Sequence, residues 1–370
     1  MGILERIAKK AISKSGVEIG GDRPWDVNVR DNRLYRRIAI AGTLGLGEAY
    51  MDGWWDCDEL DEACFRVLSS LDDRAFHTPF SIALSALSRL FNLQTKRRAF
   101  RIGEVHYDIG NDLFESMLDR RLNYSCAYWK SASDLDEAQE AKLELICEKL
   151  GLERGMKLLD IGCGWGALLK YAAETRGVEG VGITVSKEQV DLARRLCEGL
   201  PIEIRLQDYR DLDERFDRIA SIGMIEHVGY KNYRVYMRSV HRCLADDGLF
   251  LLQTIGANKS AASTDPWIDK YIFPNGMLPS AKQIASSAEG LFVVEDWHNF
   301  GADYDKTLMA WYRNFEDNWP RLKDRYGERF YRMWRYYLLT CAGAFRARSI
   351  QLWQIAFSKK GVAGGYRSIR

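Results

Sequence analysis

Seven consecutive residues, Asp160-Ile161-Gly162-Cys163-Gly164-Trp165-Gly166, follow an apolar run and open a helix-like one. Glycines in such a turn let a backbone come close to a ligand. The helix N-terminus behind it favours groups that carry negative charge. The spacing is GxGxG, which departs from the GxGxxG fingerprint of dinucleotide sites. A dinucleotide site also places an acid at the end of the second strand for the ribose hydroxyls, and here that strand ends Gly182-Ile183-Thr184. Taken alone, the loop leaves a methyl-donor site and a nucleotide site both open. A mere tight turn fits the strand-to-helix context less well.

The leading Asp160 resembles the strand-one acid of S-adenosylmethionine-dependent methyltransferases. Three further groups of residues could do chemistry beside it. Tyr124-Ser125-Cys126-Ala127-Tyr128-Trp129 lies ahead of the first strand, where polar side chains could close over a ligand at the strand ends, although an aromatic-rich loop is usually packing. Gly223-Met224-Ile225-Glu226-His227-Val228-Gly229 sits at the carboxyl end of the fourth strand, the place where α/β sheets keep their chemistry. That position favours a functional Glu226 over a solvated loop acid, and His227 reads as structural. Gln253-Thr254-Ile255-Gly256 ends the next strand, and Gly301-Ala302-Asp303-Tyr304 follows a late one. Tyr304 could supply a hydrogen bond inside the cleft.

The elements that must position these residues are legible from about residue 140. MKLLDIGCG, VEGVGITV, IEIRLQDY, RFDRIASIGMIEHV and LFLLQTIG read as strands. GALLKYAAETRG, SKEQVDLARRLCEGL (with Ser186 as N-cap) and NYRVYMRSVHRCLADDG read as the helices between them. Short βα units in series imply an α/β fold with a parallel, doubly wound sheet. FVVEDWHNFG and SIQLWQIAFSKK add two late strands. The long aromatic stretch between them, residues 307–345, is helical and reads as core that could also wall an apolar pocket.

The first hundred residues differ. Ile3, Ile7 and Ala11 share one face of a short helix, VNVR is a short strand, and residues 79–93 form an amphipathic helix with Phe80, Leu84, Leu87 and Phe91 on one stripe. Residues 1–37 hold nine Lys/Arg against five Asp/Glu, and Lys96, Arg97, Arg98 and Arg101 make a second basic cluster. Asp52, Asp56, Asp58, Glu59, Asp61 and Glu62 make an acidic one, which reads as a solvated face. Pattern alone favours a small helical domain over a bilayer-facing surface.

Composition sets outer bounds. A chain of 370 residues suits two domains, and 46% hydrophobic with 28% charged residues is the balance of a folded globular protein. A net charge of +1 argues against a bulk nucleic-acid binder. No apolar run approaches the ~20 residues of a membrane span, and the early charges of MGILERIAKKAISKSG do not suit a secretory leader; a cytoplasmic protein is expected. The eight cysteines are scattered without a CxxC pair, so neither a disulfide framework nor a metal site is expected.

Taken together the motifs resemble those of the cyclopropane-fatty-acyl-phospholipid synthases. The resemblance rests on LGLGEAYMDGWWDCD, HYDIGNDLF, YSCAYW, LDIGCGWG, GITVSKEQ, QDYRDL, EHVG, DKYIFPNGMLPS, EDWHNFGADYDKTLMAW and GAFRARSIQLWQ, nearly the whole chain. YIFPNG and YSCAYW set this family apart from general methyltransferases, and the N-terminal motif points to the bacterial branch that acts on phospholipids. The resemblance implies a Rossmann-like S-adenosylmethionine-dependent methyltransferase fold with a doubly wound mixed sheet. It implies a small, mainly helical, lipid-interacting domain over 1–95, a linker over 96–122 and a catalytic domain over 123–370. The implied activity is transfer of a methylene group from S-adenosylmethionine to the cis double bond of an acyl chain in a membrane phospholipid. The resulting carbocation is deprotonated by a bound bicarbonate in a site that excludes water. An alternative outcome is a methyl-branched or methylene lipid. Carried over by motif, the bicarbonate cage is Cys126, Glu226, Ile255 (backbone) and Tyr304. The donor pocket is Tyr124, Ser125, Gly162, Gly164, Thr184, Gln189, Gln207 and Tyr209, with Asp160 behind it. Gln253 stands where the family usually has His; glutamine donates a hydrogen bond but neither carries positive charge nor relays a proton. A homodimer that works transiently on the inner face of the membrane is also implied, and in that light the basic and amphipathic N-terminal features favour the lipid-surface reading.

Overall fold

The computed structural model describes residues 2–70 and 110–370. The helix expected over 79–93, the basic cluster at 96–101, the HYDI part of HYDIGNDLF and most of the expected linker lie outside the described residues. The chain divides into two compact units. Of the described residues, one gathers 2–70, 262–275 and 304–350; the other gathers 110–261, 276–303 and 351–370.

The second unit is built on a seven-stranded sheet. Its strands are β3 (Lys157–Ile161), β4 (Glu179–Thr184), β5 (Ile202–Leu206), β6 (Phe216–Ile222), β7 (Leu244–Ala257), β8 (Val293–Asn299) and β9 (Ile350–Ser358), in the spatial order β5-β4-β3-β6-β7-β9-β8. The pairs β3–β4, β3–β6, β4–β5 and β6–β7 are parallel, and β8–β9 is antiparallel. The expected doubly wound mixed sheet is therefore present, with the last strand inserted beside β7.

Alternation along the strands explains the layers. Leu159, Ile219, Phe250, Leu252, Ile355 and Phe357 pack with Tyr236, Met237 and Val240 of α8 (Tyr233–Cys243) and Ile284 of α10 (Ala281–Ala288). Their neighbours Leu158, Ala220, Leu249, Leu251 and Ala356 pack instead with Leu143, Ile146 and Leu150 of α5 (Leu135–Leu150) and Leu168, Leu169 and Ala172 of α6 (Ala167–Arg176). A period of two thus feeds two cores, one on each sheet face. The helix α7 (Lys187–Leu196) starts at Ser186, whose hydroxyl accepts the Gln189 N–H at 3.3 Å, the cap the sequence suggests. The short helix α4 (Asn111–Met117) precedes the sheet.

The first unit contains α1 (Ile3–Ser13), α2 (Arg33–Met51), α3 (Leu60–Ser70), α9 (Pro266–Tyr271), α11 (Ala302–Tyr326, from Tyr304 onward) and α12 (Glu328–Arg346). A two-residue pair, β1 (Asn28–Val29) with β2 (Trp55–Asp56), is antiparallel and accounts for the strand expected at VNVR. Gly343 of α12 lies so near α3 that a Cβ there would stand 2.5 Å from the Asp61 carbonyl oxygen. The acidic cluster departs from the solvated face expected of it. Arg332 donates to the Tyr50 and Trp55 carbonyls (2.5 and 2.9 Å) and to Asp56 (2.7 Å), and Arg335 donates to the Asp58 carbonyl at 2.8 Å. Arg346 bridges Asp61, Glu62 and Asp305. The carboxylates of Asp52, Asp56, Asp61 and Glu62 are partners of arginines that return from late in the chain, which a linear charge pattern does not show. The aromatic stretch 307–345 is core here: Trp311, Phe315, Trp334, Tyr337 and Phe345 are buried. Among the described residues no helix is long and apolar enough to cross a membrane. None of the eight cysteines forms a disulfide; six are buried and two, Cys64 and Cys341, half-buried.

Candidate active site

Asp160, Thr184, Gln207, Glu226, Gln253 and Ile255 lie at or just past the carboxyl ends of the parallel strands of the second unit. Asp160 lies on β3 opposite Gly182 of β4 and Ala220 of β6, and the chain then turns through Gly162 and Gly164, both with positive φ (83° and 55°). A Cβ on Gly162 would meet the Met224 side chain at 2.7 Å, whereas one on Gly164 would meet nothing within 4 Å. Gly162 is needed for packing and conformation, and Gly164 leaves its backbone open to an approaching ligand. Asp160 is 3% exposed, and burial pushes its carboxyl up to about 7 against the opposing pull of Lys142; its Oδ1 has no hydrogen-bond partner.

Three of the four polar residues assigned to β4, β5 and the turns after them, Thr184, Gln189 and Gln207, are joined by hydrogen bonds, and Tyr209 bonds Arg210 instead. The Thr184 hydroxyl donates to Gln189 Oε1 at 2.7 Å and accepts the Ser186 N–H at 3.2 Å. The Gln207 N–H donates to the Thr184 carbonyl at 3.0 Å. Tyr209 is buried, and its hydroxyl receives Arg210 Nε at 3.2 Å. No acid stands at the end of β4, so hydroxyl and amide groups are what this edge offers a ribose.

Glu226 follows β6 in a single 3₁₀ turn, Ile225–His227. It is 7% exposed. Its Oε1 accepts the Ile255 N–H from the end of β7 at 2.7 Å, and its Oε2 is buried without a hydrogen-bond partner. Its own carbonyl accepts the Met277 N–H at 2.8 Å. Burial raises its carboxyl to about 7, opposed by the bond from Ile255. Ile255 therefore gives its N–H to Glu226. Gln253 is 1% exposed; its side-chain oxygen accepts from Gln354 of β9 at 2.9 Å, so what it offers further is its amide N–H2. Cys126 is fully buried, with Sγ 3.2 Å from the Ala127 carbonyl. His227 is held neutral by burial, its pKa lowered to about 4, in keeping with a structural role. Tyr304 belongs to the first unit, where it is buried against Phe345 and Trp311 with ring centroids 4.5 and 5.9 Å away.

The segment that carries Tyr124, Ser125 and Cys126 is fastened by buried polar residues that sequence reasoning missed. Asp119 accepts the Asn123 N–H at 2.7 Å and its side-chain amide at 2.8 Å. From α5, Gln139 Nε2 donates to the Ser125 carbonyl at 2.8 Å, and Lys142 Nζ reaches Asn123 Oδ1 at 2.7 Å and Ser125 Oγ at 3.2 Å. Burial lowers the Lys142 ammonium to about 8. The available signal was two polar residues three apart on the helix face that also carries Leu143 and Ile146.

Solved structures share this architecture. The cyclopropane synthase MmaA2 from Mycobacterium tuberculosis matches with TM-score 0.67 and 30% identity, covering 73% of this chain and all of that one. The mycolic acid cyclopropane synthase CmaA1 complexed with SAH and CTAB matches with TM-score 0.66 and 34% identity, covering 70% and 98%. Sheet order, glycine turn and likeness together define an S-adenosylmethionine-dependent methyltransferase. Residues 94–355 match the family model for mycolic acid cyclopropane synthetase. The cyclopropane-fatty-acyl-phospholipid synthase of Escherichia coli strain K12 is 56% identical over 366 residues, 99% of this chain and 96% of that one. The chain belongs to the cyclopropane synthase family, and its match to the E. coli relative continues through the N-terminal region that the family model leaves out.

Proposed function

We propose that this protein transfers a methylene group from S-adenosylmethionine to the cis double bond of unsaturated acyl chains in membrane phospholipids, giving cyclopropane fatty acids. The observation that carries the reading is Glu226: a carboxyl buried at the strand ends, fixed through one oxygen by Ile255, with the other oxygen unpartnered. Such a group suits a small anion with a proton to share, because two negative charges do not settle side by side unless a proton lies between them. The likeness to the E. coli synthase supports the lipid class, and the neighbour complexed with SAH supports the donor.

The residues present fit both small molecules. The open backbone at Gly164, the Thr184–Gln189 pair, Gln207 and Tyr209, with Tyr124 and Ser125 from the preceding segment, would hold the donor. Glu226 Oε2, the Gln253 amide and Cys126 would face the bicarbonate. When bound, the donor supplies an electrophilic methyl and the anion a base for the proton released at ring closure. Glu226 contributes a carboxyl whose pKa of about 7 lets it take or hold a proton near neutral pH. Burial around it keeps water away from a short-lived cation.

Peripheral membrane association has its own support. On α1, Ile3 and Ile7 are 68% and 60% exposed and share the helix with Arg6, Lys9 and Lys10, and Lys14 follows at its end. An apolar stripe among cations suits an anionic bilayer surface. The inner face of the membrane and a homodimeric assembly complete the proposal on the family resemblance.

The test is purified protein with S-adenosylmethionine, bicarbonate and unsaturated phospholipid vesicles. Cyclopropane acyl chains by gas chromatography–mass spectrometry are expected, and their absence rejects the reading. Gln253 favours one alternative, a lipid methyltransferase giving a branched or methylene product. Its oxygen is committed to Gln354 and it relays no proton. The mass and fragmentation of the product separate the two.

A further inference from the structure

Buried ammonium groups are expensive to keep away from water, and a fold that needs only to fasten a loop does so with neutral side chains. Gln139 already fastens this one: fully buried, it bonds the Asn123 and Ser125 carbonyls at 3.3 and 2.8 Å. Asp119 secures Asn123 independently. Lys142, 2% exposed and one turn further along α5, is redundant for the backbone. What it reaches that Gln139 does not are Asn123 Oδ1, at 2.7 Å, whose residue Asp119 already holds, and the Ser125 hydroxyl, at 3.2 Å. An ammonium has no acceptor, so in this contact Ser125 Oγ accepts and its own hydrogen is left to donate elsewhere. Asp160, an acceptor with its Oδ1 buried and unpartnered, interacts electrostatically with the same lysine. The patch thus sets a buried ammonium, balanced first by Asp119 and then by Asp160, beside a carboxylate oxygen that has no hydrogen-bond partner.

We infer that Lys142 is a positioning residue of the donor site, resting on the reading of Ser125 above: it turns the Ser125 hydroxyl into a hydrogen-bond donor for the carboxylate of the amino-acid end of S-adenosylmethionine. The adenosine end is left to the Thr184–Tyr209 edge.

Two probes separate the ends of the ligand. S-adenosylhomocysteine keeps the amino-acid carboxylate; 5′-methylthioadenosine keeps the nucleoside and sulfur without it. Calorimetric titration of both into the full-length protein and into Lys142→Met, Ser125→Ala and the double variant is the experiment. Lys142→Met should weaken S-adenosylhomocysteine about tenfold (~1.4 kcal/mol) while 5′-methylthioadenosine stays within twofold. In the Ser125→Ala background the lysine change should add less than twofold, since residues acting through one contact are not additive. Equal losses for both probes, a loss for 5′-methylthioadenosine alone, no loss for either, or additive effects each overturn the inference. If Lys142→Met is insoluble, Lys142→Gln takes its place in the same cycle. A wild-type protein that binds neither probe overturns the donor-site reading itself, an outcome distinct from all of these.

Discussion

Glu226 carries two opposite demands. Its raised pKa means the folded protein holds a proton there that the unfolded chain releases near 4.5. Between pH 4.5 and about 7 the native state binds the extra proton, so this group's contribution to stability declines as pH rises through that window and levels off above it. Glu226→Gln keeps an acceptor for the Ile255 N–H and removes the charge. We expect turnover to fall at least 100-fold while affinity for S-adenosylhomocysteine stays within twofold, measured by product release and calorimetry. We also expect the variant to be more stable than wild type at pH 8, by about 2–3 kcal/mol, with the difference gone at pH 4, measured by urea unfolding. Retained turnover would remove Glu226 from the chemistry; a deficit in stability at pH 8 would mean the carboxylate is better paired than its surroundings indicate. At this scale the sequence was informative where position carried meaning. A glutamate just past a strand tip stood out, as did the GxGxG turn. The Gln253–Gln354 bond was invisible, because it joins residues 101 positions apart through the insertion of β9 beside β7.

Elements explain why two glycines in one turn differ. Gly162 combines φ of 83° with a Met224 side chain where a methyl would go, whereas Gly164 has φ of 55° and open space. Gly162→Ala should therefore cost about 2–3 kcal/mol, from a left-handed backbone and a clash together. Gly164→Ala should cost about 1 kcal/mol of stability, the backbone contribution alone. If a ligand lies along Gly164, the ranking reverses for donor affinity, with Gly164→Ala losing more binding per kcal/mol of stability lost. Thermal unfolding and S-adenosylhomocysteine titration on both variants decide it. The βα alternation was legible because each strand is a short apolar run bounded by turn residues, and Ser186 marked its helix start. The fastening of residues 119–128 to α5 was not, since buried polar groups on a helix look like its solvent face until a partner is known.

At the scale of the whole molecule, residues distant along the chain come together. Segments 262–275 and 304–350 join the N-terminal residues in one unit, and the arginines they carry or adjoin answer the acids at 52–62. Arg332 serves two carbonyls and Asp56 at once. Arg332→Ala should destabilise the protein by about 2 kcal/mol, while Arg332→Lys, unable to fork, recovers less than half; differential scanning calorimetry reads both. On the same unit, Ile3→Asp with Ile7→Asp should reduce sedimentation with anionic vesicles at least fivefold and leave S-adenosylhomocysteine affinity unchanged. Undiminished sedimentation would leave α1 without a part in membrane association. A net charge of +1 said little about either feature, because opposite charges far apart in sequence meet only after folding.

The sulfhydryls give this molecule a built-in clock. Cys57, Cys64 and Cys341 belong to one unit and Cys126, Cys147, Cys163, Cys197 and Cys243 to the other, none cross-linked and none well exposed. An alkylating reagent can reach most of them only when the surrounding structure opens, and burial holds Cys57, Cys64 and Cys147 far above the range in which thiolate forms readily. Peptide-resolved alkylation over time would therefore report how often each half of the protein breathes, without any introduced label.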